Sequence, residues 1–231
     1  MIKQQRKKQN INRLVILGTF ALLFSCGSSD KNTRVLPILG ERDVEYKMVD
    51  GKEIADTLFH TIPDFEYLNQ DSVLIASKSM KGKIWISDFF FTHCPTICPP
   101  MTSQMKRLNG MLSDLSNEIQ FMSFSIDPQR DQPARLREYI KEHEIVASNW
   151  QFFTGNEEAT HRLGVESFLV HTGTDDTEGS GGFAHGDIFT LVDKEGHVRG
   201  IYHGTIVEDV DQLEKDVRKL LEHEYGVTGS K

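Results

Sequence analysis

The sequence predicts an α/β fold in which a central sheet is flanked by helices. Two near-continuous apolar runs, residues 83–91 and 119–127, have the length and composition of strands buried on both faces. Helical segments that open with proline follow these runs, beginning near Pro99 and at Pro133. Strands and helices that alternate in this way are typical of a layered α/β domain.

Two hairpins are predicted before the first buried strand. Residues 44–60 alternate around Asp50-Gly51, a dipeptide that favours the tight turn of a hairpin. Residues 65–83 are expected to form the second hairpin, with its turn at about residues 69–71. The first hairpin is predicted to be an N-terminal extension of the sheet domain.

The second half of the chain supplies the last strands and helices. A third strand over residues 150–155 is followed by a short helix that Asn156 is expected to cap. A strand, a turn and another strand over residues 186–204 precede the final helix. Thr205 and Glu208 have the spacing of a capping box at the start of that helix.

The first 25 residues have the order of a secretory signal. Five basic residues precede an apolar run over 14–24, which is shorter than the roughly 20 residues that span a bilayer. The sequence around Cys26 resembles a bacterial lipobox, in which Cys26 is lipidated. Residues 26–40 are then expected to form a flexible tether and residues 41–231 the folded domain. This predicts a location in the bacterial cell envelope, lipid-anchored to a membrane and facing the periplasm; an uncleaved anchor would leave the domain on the same side.

The charge of the chain argues against nucleic acid as a partner. The formal net charge is −8, and without the five positive charges of the signal segment it becomes −13. A chain this acidic is poorly suited to nucleic acid or to an anionic lipid surface, and it would attract cations or a basic partner. About 200 residues suffice for one domain whose core does not depend on disulfides.

Residues 89–101, FFFTHCPTICPPM, hold two of the three cysteines of the chain. Cys94 and Cys98 lie at the turn between the first buried strand and a helix, where thioredoxin-like folds place their reactive thiols. A disulfide across so short a loop would restrain the unfolded chain little, so a structural crosslink is disfavoured. A redox couple and a metal site are the other two interpretations. The helix N-terminus is expected to lower the pKa of the Cys98 thiol.

Two thiolates rarely complete a metal site, so a third ligand is expected, and histidine is favoured. His185 is preferred because it follows a Gly- and acid-rich loop and precedes a strand. In a thioredoxin-like fold that junction can lie beside the cysteine turn. His171, within the loop, is the second candidate. His93 would point away from Cys94 in an extended chain, and His203, at a strand end, suits an exposed surface.

Asp127 and Asp131, in the segment DPQRDQP, have two interpretations. Both occupy favoured positions of a turn that leads into a helix, which is a sufficient structural role. The functional alternative is that Asp127, at the end of the strand beside the cysteine turn, tunes the thiols or contacts a partner.

Three segments together resemble the Sco (SenC) family, copper proteins that help assemble cytochrome c oxidase. They are FFFTHCPTICPPM, SFSIDPQRDQPARLREYIKEH and AHGDIFTLVDKEGHVRGIYHG, and the resemblance runs in order from about Asp64 to Leu221. It implies a thioredoxin-like fold, related to the peroxiredoxins, and one copper ion per chain as Cu(I) or Cu(II). The copper ligands that it implies are Cys94, Cys98 and His185.

This chain departs from the family pattern at two positions beside the implied ligands. The family usually has Asp between the cysteines and Asp directly before the histidine, where this chain has Thr96 and Ala184. Loss of such a neighbour can weaken metal affinity by roughly 10- to 100-fold, so both departures bear on copper affinity and on the preferred oxidation state. Asp187 is expected to substitute in part if it faces the site.

The resemblance implies a membrane-tethered copper chaperone. It would exchange copper with other carriers and deliver it to the dinuclear copper site of a cytochrome c oxidase subunit. The alternative is an enzyme, a dedicated thiol-disulfide reductase that keeps the copper-ligand cysteines of the oxidase reduced. A peroxidase is disfavoured, because the related peroxiredoxins have Thr three residues before the reactive cysteine and this chain has Phe91 or Pro95 there. A copper sensor that signals to another protein is a further alternative.

Overall fold

The computed structural model describes residues 34–175 and 182–229, and over 174–175 and 182–185 it describes the backbone only. The predicted signal segment and Cys26 lie outside these residues. The helices are α1 (Cys98–Met111), α2 (Pro133–Glu142), α3 (Glu157–Arg162), which continues into a π-helical turn (Leu163–Ser167), and α4 (Val207–Tyr225). The strands are β1 (Arg42–Val49), β2 (Lys52–Phe59), β3 (Glu66–Asn69), β4 (Leu74–Ala76), β5 (Ile84–Phe90), β6 (Ile119–Ser125), β7 (Trp150–Thr154), β8 (Thr172–Asp175), β9 (Gly182–His185), β10 (Ile188–Val192) and β11 (Val198–His203).

A seven-stranded mixed sheet forms the centre of the domain, in the order β11-β10-β5-β6-β7-β3-β4. The three middle strands, β5, β6 and β7, are parallel, and the outer strands pair antiparallel. Every residue of β5 and of β6 is buried, which explains why both strands are near-continuous apolar runs in the sequence rather than alternating patterns. The predicted α/β class is confirmed.

The two faces of the sheet are covered by different elements. Neighbouring residues of a strand point to opposite faces. Phe89 of β5 packs edge-on against Phe168, which follows the π-helical turn. Phe90 packs on the other face against Tyr139 of α2, whose hydroxyl is 2.6 Å from the hydroxyl of Thr102 in α1. Helices α1 and α2 therefore lie together on the face opposite Phe168.

The predicted N-terminal hairpin is present. Strands β1 and β2 pair along all eight residues of each strand and form a two-stranded sheet of their own. The turn residues Asp50 and Gly51 have φ of 50° and 75°. Positive φ at both central residues is the requirement of the tight hairpin turn that an Asp-Gly pair favours.

Residues 34–40, which the sequence assigned to the tether, are bound to the domain. The guanidinium of Arg199 donates to the carbonyls of Leu36 and Pro37 at 2.7 and 3.1 Å. The folded domain thus begins ahead of the predicted boundary at residue 41. In the part of the chain that the structure describes, none of the helices has the length and apolar character to cross a membrane.

The capping box predicted for the last helix is wrong. Helix α4 begins at Val207, and Ile206 stands at its N-cap position without a side-chain cap. The hydroxyl of Thr205 donates instead to Asp187, a charged acceptor that binds a donor more strongly than a neutral one. The cap predicted for α3 is confirmed, since the Asn156 side chain accepts a backbone N–H of the first turn at 2.9 Å.

The Gly- and acid-rich segment before β10, expected to be a loop, contains two short strands. Its ends pair antiparallel as β8 and β9, and His185 lies opposite Thr172 in that register. Strands of four residues in a Gly-, Thr- and Asp-rich segment lack the apolar pattern on which strand prediction depends. The pairing ties the segment that carries His185 to the chain that follows the π-helical turn.

Candidate metal centre

The connection between β5 and α1 carries both cysteines. β5 ends at Phe90 and α1 begins at Cys98, so Cys94 lies on the turn between them. The backbone N–H of Cys94 donates to the carbonyl of Phe91 at 3.2 Å and closes the turn. The two prolines that follow Cys98 occupy the first turn of the helix, as predicted, where backbone N–H groups have no helical partner.

The side chains of the two cysteines are buried and close together. Cys94 is 8% exposed and Cys98 is 1% exposed, and both are thiols rather than halves of a disulfide. The backbone N–H of Cys98 donates to Sγ of Cys94 at 3.4 Å. The hydroxyl of Thr96, one of the two departures from the family pattern, lies 3.8 Å from the same sulfur. Cys94 is thus the thiol nearer to the surface of the turn.

The predicted lowering of the pKa of Cys98 is wrong. Burial raises the pKa of this thiol far above its usual range, and the neighbouring Cys94 and the charge of Asp88 raise it further. The loss of water around Cys98 outweighs the favourable effect of the helix N-terminus. Cys98 is therefore a neutral thiol at neutral pH, and a metal ion that binds it must displace its proton.

Asp88 is a residue near the site that the sequence interpretation missed. It lies in the middle of β5 and is 2% exposed. Burial raises the pKa of Tyr139 and the charge of Asp88 adds to that effect, as it does for Cys98, so Asp88 lies within electrostatic reach of both groups. The signal was a carboxylate inside a run predicted to be buried, because a buried charge is rare without a partner or a function.

Asp131 fixes the chain just before the cysteine turn. Its fully buried carboxylate accepts the backbone N–H of Thr92 at 3.0 Å, the Thr92 hydroxyl at 2.5 Å and the Ser125 hydroxyl at 2.6 Å. Its own N–H donates to the carbonyl of Asp127 at 2.8 Å, so the predicted turn is also present. Asp131 therefore joins the end of β6 to the segment that leads into Cys94.

Asp127 lies at the same edge of the sheet as the cysteine turn. The residue before it, Ile126, donates its N–H to the carbonyl of Phe90 at 2.9 Å, next to the end of β5. The Asp127 side chain is almost fully buried and accepts a hydrogen bond from the guanidinium of Arg130. The Asp127 carboxylate thus has a structural partner in Arg130.

The backbone places His185 at the edge of the sheet that also carries the cysteines. His185 ends β9, and β10 follows at Ile188. Since β10 pairs antiparallel with β5, it begins at the edge where β5 ends and the cysteine turn starts. His93 is exposed and lies in a turn rather than in the extended chain that the sequence interpretation assumed; its Nδ1 is 3.0 Å from the hydroxyl of Thr92.

The remaining candidates near His185 have partners outside the cysteine turn. His171 is exposed, and its carbonyl accepts the N–H of Gly186 at 2.9 Å. The Asp187 carboxylate contacts Thr205 and Nδ1 of His203, the latter at 2.9 Å. Burial raises the pKa of Asp187, but these two hydrogen bonds outweigh burial and hold it below its usual value. The contacts of Asp187 thus join it to the start of α4 rather than to the thiols.

A second group of potential ligand atoms lies at the opposite edge of the sheet. Among the described residues, Asp193, Glu195 and His197 bring one ligand atom each within 4.8 Å of one another. The Asp193 carboxylate accepts two backbone N–H groups of its own turn and the guanidinium of Arg199 at 2.9 Å. Glu195 accepts the hydroxyl of Tyr225. These groups have structural partners, so the cysteine turn is the candidate metal centre.

A buried parallel strand, a turn with two adjacent thiols and a helix that begins at the second thiol define a thioredoxin-like domain with a dithiol site. Thiolates are soft donors that suit Cu(I), and two of them leave room for a third ligand from the neighbouring β9–β10 connection. The chain belongs to the SCO1/SenC family, whose model matches residues 55–222.

Three solved structures illustrate the relationship. A SCO1/SenC family lipoprotein from Bacillus anthracis is 34% identical, with a TM-score of 0.64 over 71% of this chain and 96% of that one. BsSco, a member of the Sco family of cytochrome c oxidase assembly proteins in which a disulfide switch was identified, is 32% identical, with a TM-score of 0.60 over 70% and 93%. Copper-bound ScoI of Arabidopsis thaliana is 25% identical, with a TM-score of 0.58 over 69% and 97%.

Proposed function

We propose that this protein is a membrane-tethered, extracytoplasmic copper chaperone that delivers copper to the dinuclear copper site of cytochrome c oxidase during its assembly. The observation that carries the proposal is the buried thiol pair, Cys94 and Cys98; the start of β10, shortly after His185, lies beside the end of β5 and supports it. Membership of the SCO1/SenC family supports it. So do a relative solved with copper bound and a relative from a family of oxidase assembly proteins.

The proposed cargo is one copper ion per chain, held by Cys94, Cys98 and His185. Cu(I) fits the two sulfur donors, and its binding releases the proton of Cys98. The turn residues His93 and Thr96 are exposed, so the site lies directly beneath the surface. A partner can then offer its own ligands to the ion, and copper passes by ligand exchange without covalent turnover.

Asp127 is proposed to act on this site through the protein rather than as a ligand. It lies two residues after the end of β6, the strand that pairs with the one leading into the cysteine turn, and it pairs with Arg130. Groups that orient a metal ligand affect metal affinity even when they do not touch the ion. Asp127 would keep the loop after β6 in place next to the thiols.

The proposed location rests on Cys26 as the lipidated residue. The B. anthracis relative is a lipoprotein, which supports a membrane-anchored form in the cell envelope. With the domain exported and held at a membrane, the copper site works in a compartment where the thiols need a reductant or a bound metal to avoid oxidation.

Titration of the reduced protein with Cu(I) and then Cu(II), without oxygen, tests the copper site. We expect one tightly bound copper per chain and an affinity at least about 10-fold lower in His185→Ala, since loss of a ligand should cost no less than loss of a ligand's neighbour. The matched control is His93→Ala, which removes an exposed histidine adjacent to Cys94 and should leave the affinity unchanged. Equal affinity in His185→Ala and the wild type would contradict the three-ligand site.

A dedicated thiol-disulfide reductase is the second candidate. The observation that favours it is the direct contact between the backbone N–H of Cys98 and Sγ of Cys94, which puts the thiols in reach of one another. Cys94 would attack a client disulfide and Cys98 would then displace the client thiol. Two electrons pass to the client, and a Cys94–Cys98 disulfide remains. Weak copper binding that is indifferent to His185, together with such cycling, would favour this function; the raised pKa of Cys98 argues against fast exchange.

A further inference from the structure

The β1–β2 hairpin carries apolar side chains that are exposed to solvent in the part of the chain that the structure describes. All residues of β1, and all but the last of β2, are exposed. The register places Val44, Tyr46 and Met48 on one face, where they are 55%, 65% and 70% exposed. Thr57, Ala55 and Glu53 lie opposite them on β2, and Arg42 completes this face at the base of the hairpin. Val44, Tyr46, Met48, Ala55 and Thr57 are called the hairpin face below; the charged residues Arg42 and Glu53 lie at its two ends.

The other face of the hairpin carries more charge: Asp43, Glu45, Lys47, Lys52 and Asp56 lie there, among Val49, Ile54 and Leu58, which are 49%, 49% and 45% exposed. Lys47 lies between Asp56, at 2.8 Å, and Glu45, at 3.5 Å. Because side chains alternate between the faces of a strand, the hairpin face is the less charged of the two and the one better suited to an apolar medium. An isolated two-stranded hairpin is at best marginally stable in water, so this one gains from a surface that covers the apolar face.

The hairpin is attached to the edge of the sheet opposite the cysteine turn. Immediately outside its two strands, the N–H of Leu39 donates to Val198 and the N–H of Ile62 donates to Gly196, both at 2.8 Å. Both acceptors lie at the connection between β10 and β11. β10 ends there, beside the start of β5. The seven residues of β5 separate this edge from the cysteine turn by roughly 20 Å.

The same edge receives the N-terminal segment that leads back to Cys26. The N–H of Val35 donates to Glu224, near the end of α4, at 2.8 Å, and Arg199 holds the residues that follow. Arg34 is eight positions after Cys26, and a fully extended chain of that length spans at most about 28 Å. A lipid on Cys26 would therefore limit the distance of Arg34 from the bilayer to about 28 Å, which allows this edge of the domain to reach the membrane.

We propose that the hairpin face docks on the lipid bilayer, with Val44, Tyr46 and Met48 in the interfacial layer; this rests on the proposed lipid anchor at Cys26. Tyrosine beside aliphatic side chains is typical of membrane-interface contacts. Residues 42–59 contain five acidic and three basic residues, so the contact suits zwitterionic lipid and has no need of anionic lipid. Docking of this edge turns the cysteine turn away from the membrane, toward an approaching protein partner.

Depth-dependent quenching in the lipidated full chain, reconstituted in phosphatidylcholine vesicles, tests the docking. Tyr46→Trp reports on the hairpin face and Glu45→Trp, one residue away, is the matched control on the charged face. The native Trp85 and Trp150 are 4% exposed and provide a constant background. With lipid brominated near the headgroup, we expect loss of emission and a shift to shorter wavelength for Tyr46→Trp, and neither for Glu45→Trp.

Four results would overturn the docking. Protein that floats with the vesicles but shows no quenching in Tyr46→Trp retains the anchor and disproves the hairpin contact alone. If the emission of Tyr46→Trp shifts without quenching, and the shift grows with protein density, the hairpin face contacts a second copy of the chain instead of lipid. Quenching that requires phosphatidylglycerol would contradict an apolar contact. Protein that fails to float, as Cys26→Ser is expected to, would refute the anchor itself and with it the docking.

Discussion

Replacement of Arg199 by methionine is expected to lower the free energy of unfolding by about 3–5 kcal/mol, the cost of removing one partner from a buried ion pair. The Arg199 side chain is 1% exposed. It donates to Asp193 at 2.9 Å and to both oxygens of Glu224 at 2.6 and 2.9 Å, and it also holds the carbonyls of the N-terminal segment. Methionine fills part of the space but leaves the Asp193 carboxylate buried without its cation. Urea unfolding of both proteins measures the difference.

Arg218→Met is the matched control for that measurement. Arg218 also has two acidic partners, Asp114 at 2.8 Å and Glu214, but its side chain is 35% exposed. Exposed ion pairs contribute at most about 1 kcal/mol. If both substitutions lowered the free energy of unfolding equally, burial would not be the reason that Arg199 contributes more than Arg218.

The ion pairs of Arg199 also predict how the free energy of unfolding depends on pH. Burial raises the pKa of Glu224, but hydrogen bonds from Arg199 and from the N–H of Val35 outweigh burial and hold it below its ordinary value of 4.5. The unfolded state then binds the proton at higher pH than the folded state, so this stabilisation is complete above about pH 4.5 and is lost as pH falls through the folded pKa. In Arg199→Met this loss should be smaller. The free energies of unfolding of Arg199→Met and of the wild type, measured with urea, should therefore converge as the pH falls.

The central part of the fold was predictable because burial on both faces leaves a strong mark in the sequence. β5 and β6 are near-continuous apolar runs, and Pro133 marks the start of α2 because proline is tolerated only in the first turn of a helix. The pairing of β8 with β9 was missed, since its backbone hydrogen bonds leave no pattern in a Gly- and Asp-rich segment. The capping box failed because Asp187, distant in sequence from Thr205, offers a stronger acceptor.

The positions of the thiols in the chain were predictable, but their chemistry was not. A cysteine at the start of a helix is expected to ionise readily, and that expectation holds for an exposed thiol. Cys98 is buried beneath the turn and near Asp88, so water is excluded and the neighbouring negative charge opposes ionisation. Both effects depend on packing across the sheet, which local sequence does not encode.

Asp131→Ala is expected to lower the affinity for Cu(I) by about 10- to 100-fold, the usual effect of removing a group that orients a metal ligand. It should also reduce the free energy of unfolding by about 1–3 kcal/mol, because the buried donors of Thr92 and Ser125 lose their acceptor. Asp131→Asn retains one carbonyl oxygen of similar position and should lie between Asp131→Ala and the wild type. Competition with a Cu(I) chelator, at a temperature where all three proteins are folded, measures the affinity.

Asp71→Ala is the control, since Asp71 is exposed in the turn between β3 and β4 and should change neither quantity. If Asp131→Ala lowers stability but leaves the copper affinity unchanged, Asp131 supports only the fold. If the affinity falls as expected, the hydrogen bonds from Thr92 to Asp131 are part of what prepares the site. The two sulfur atoms would then owe their arrangement to the attachment of the cysteine turn to the end of β6, and not to the turn sequence alone.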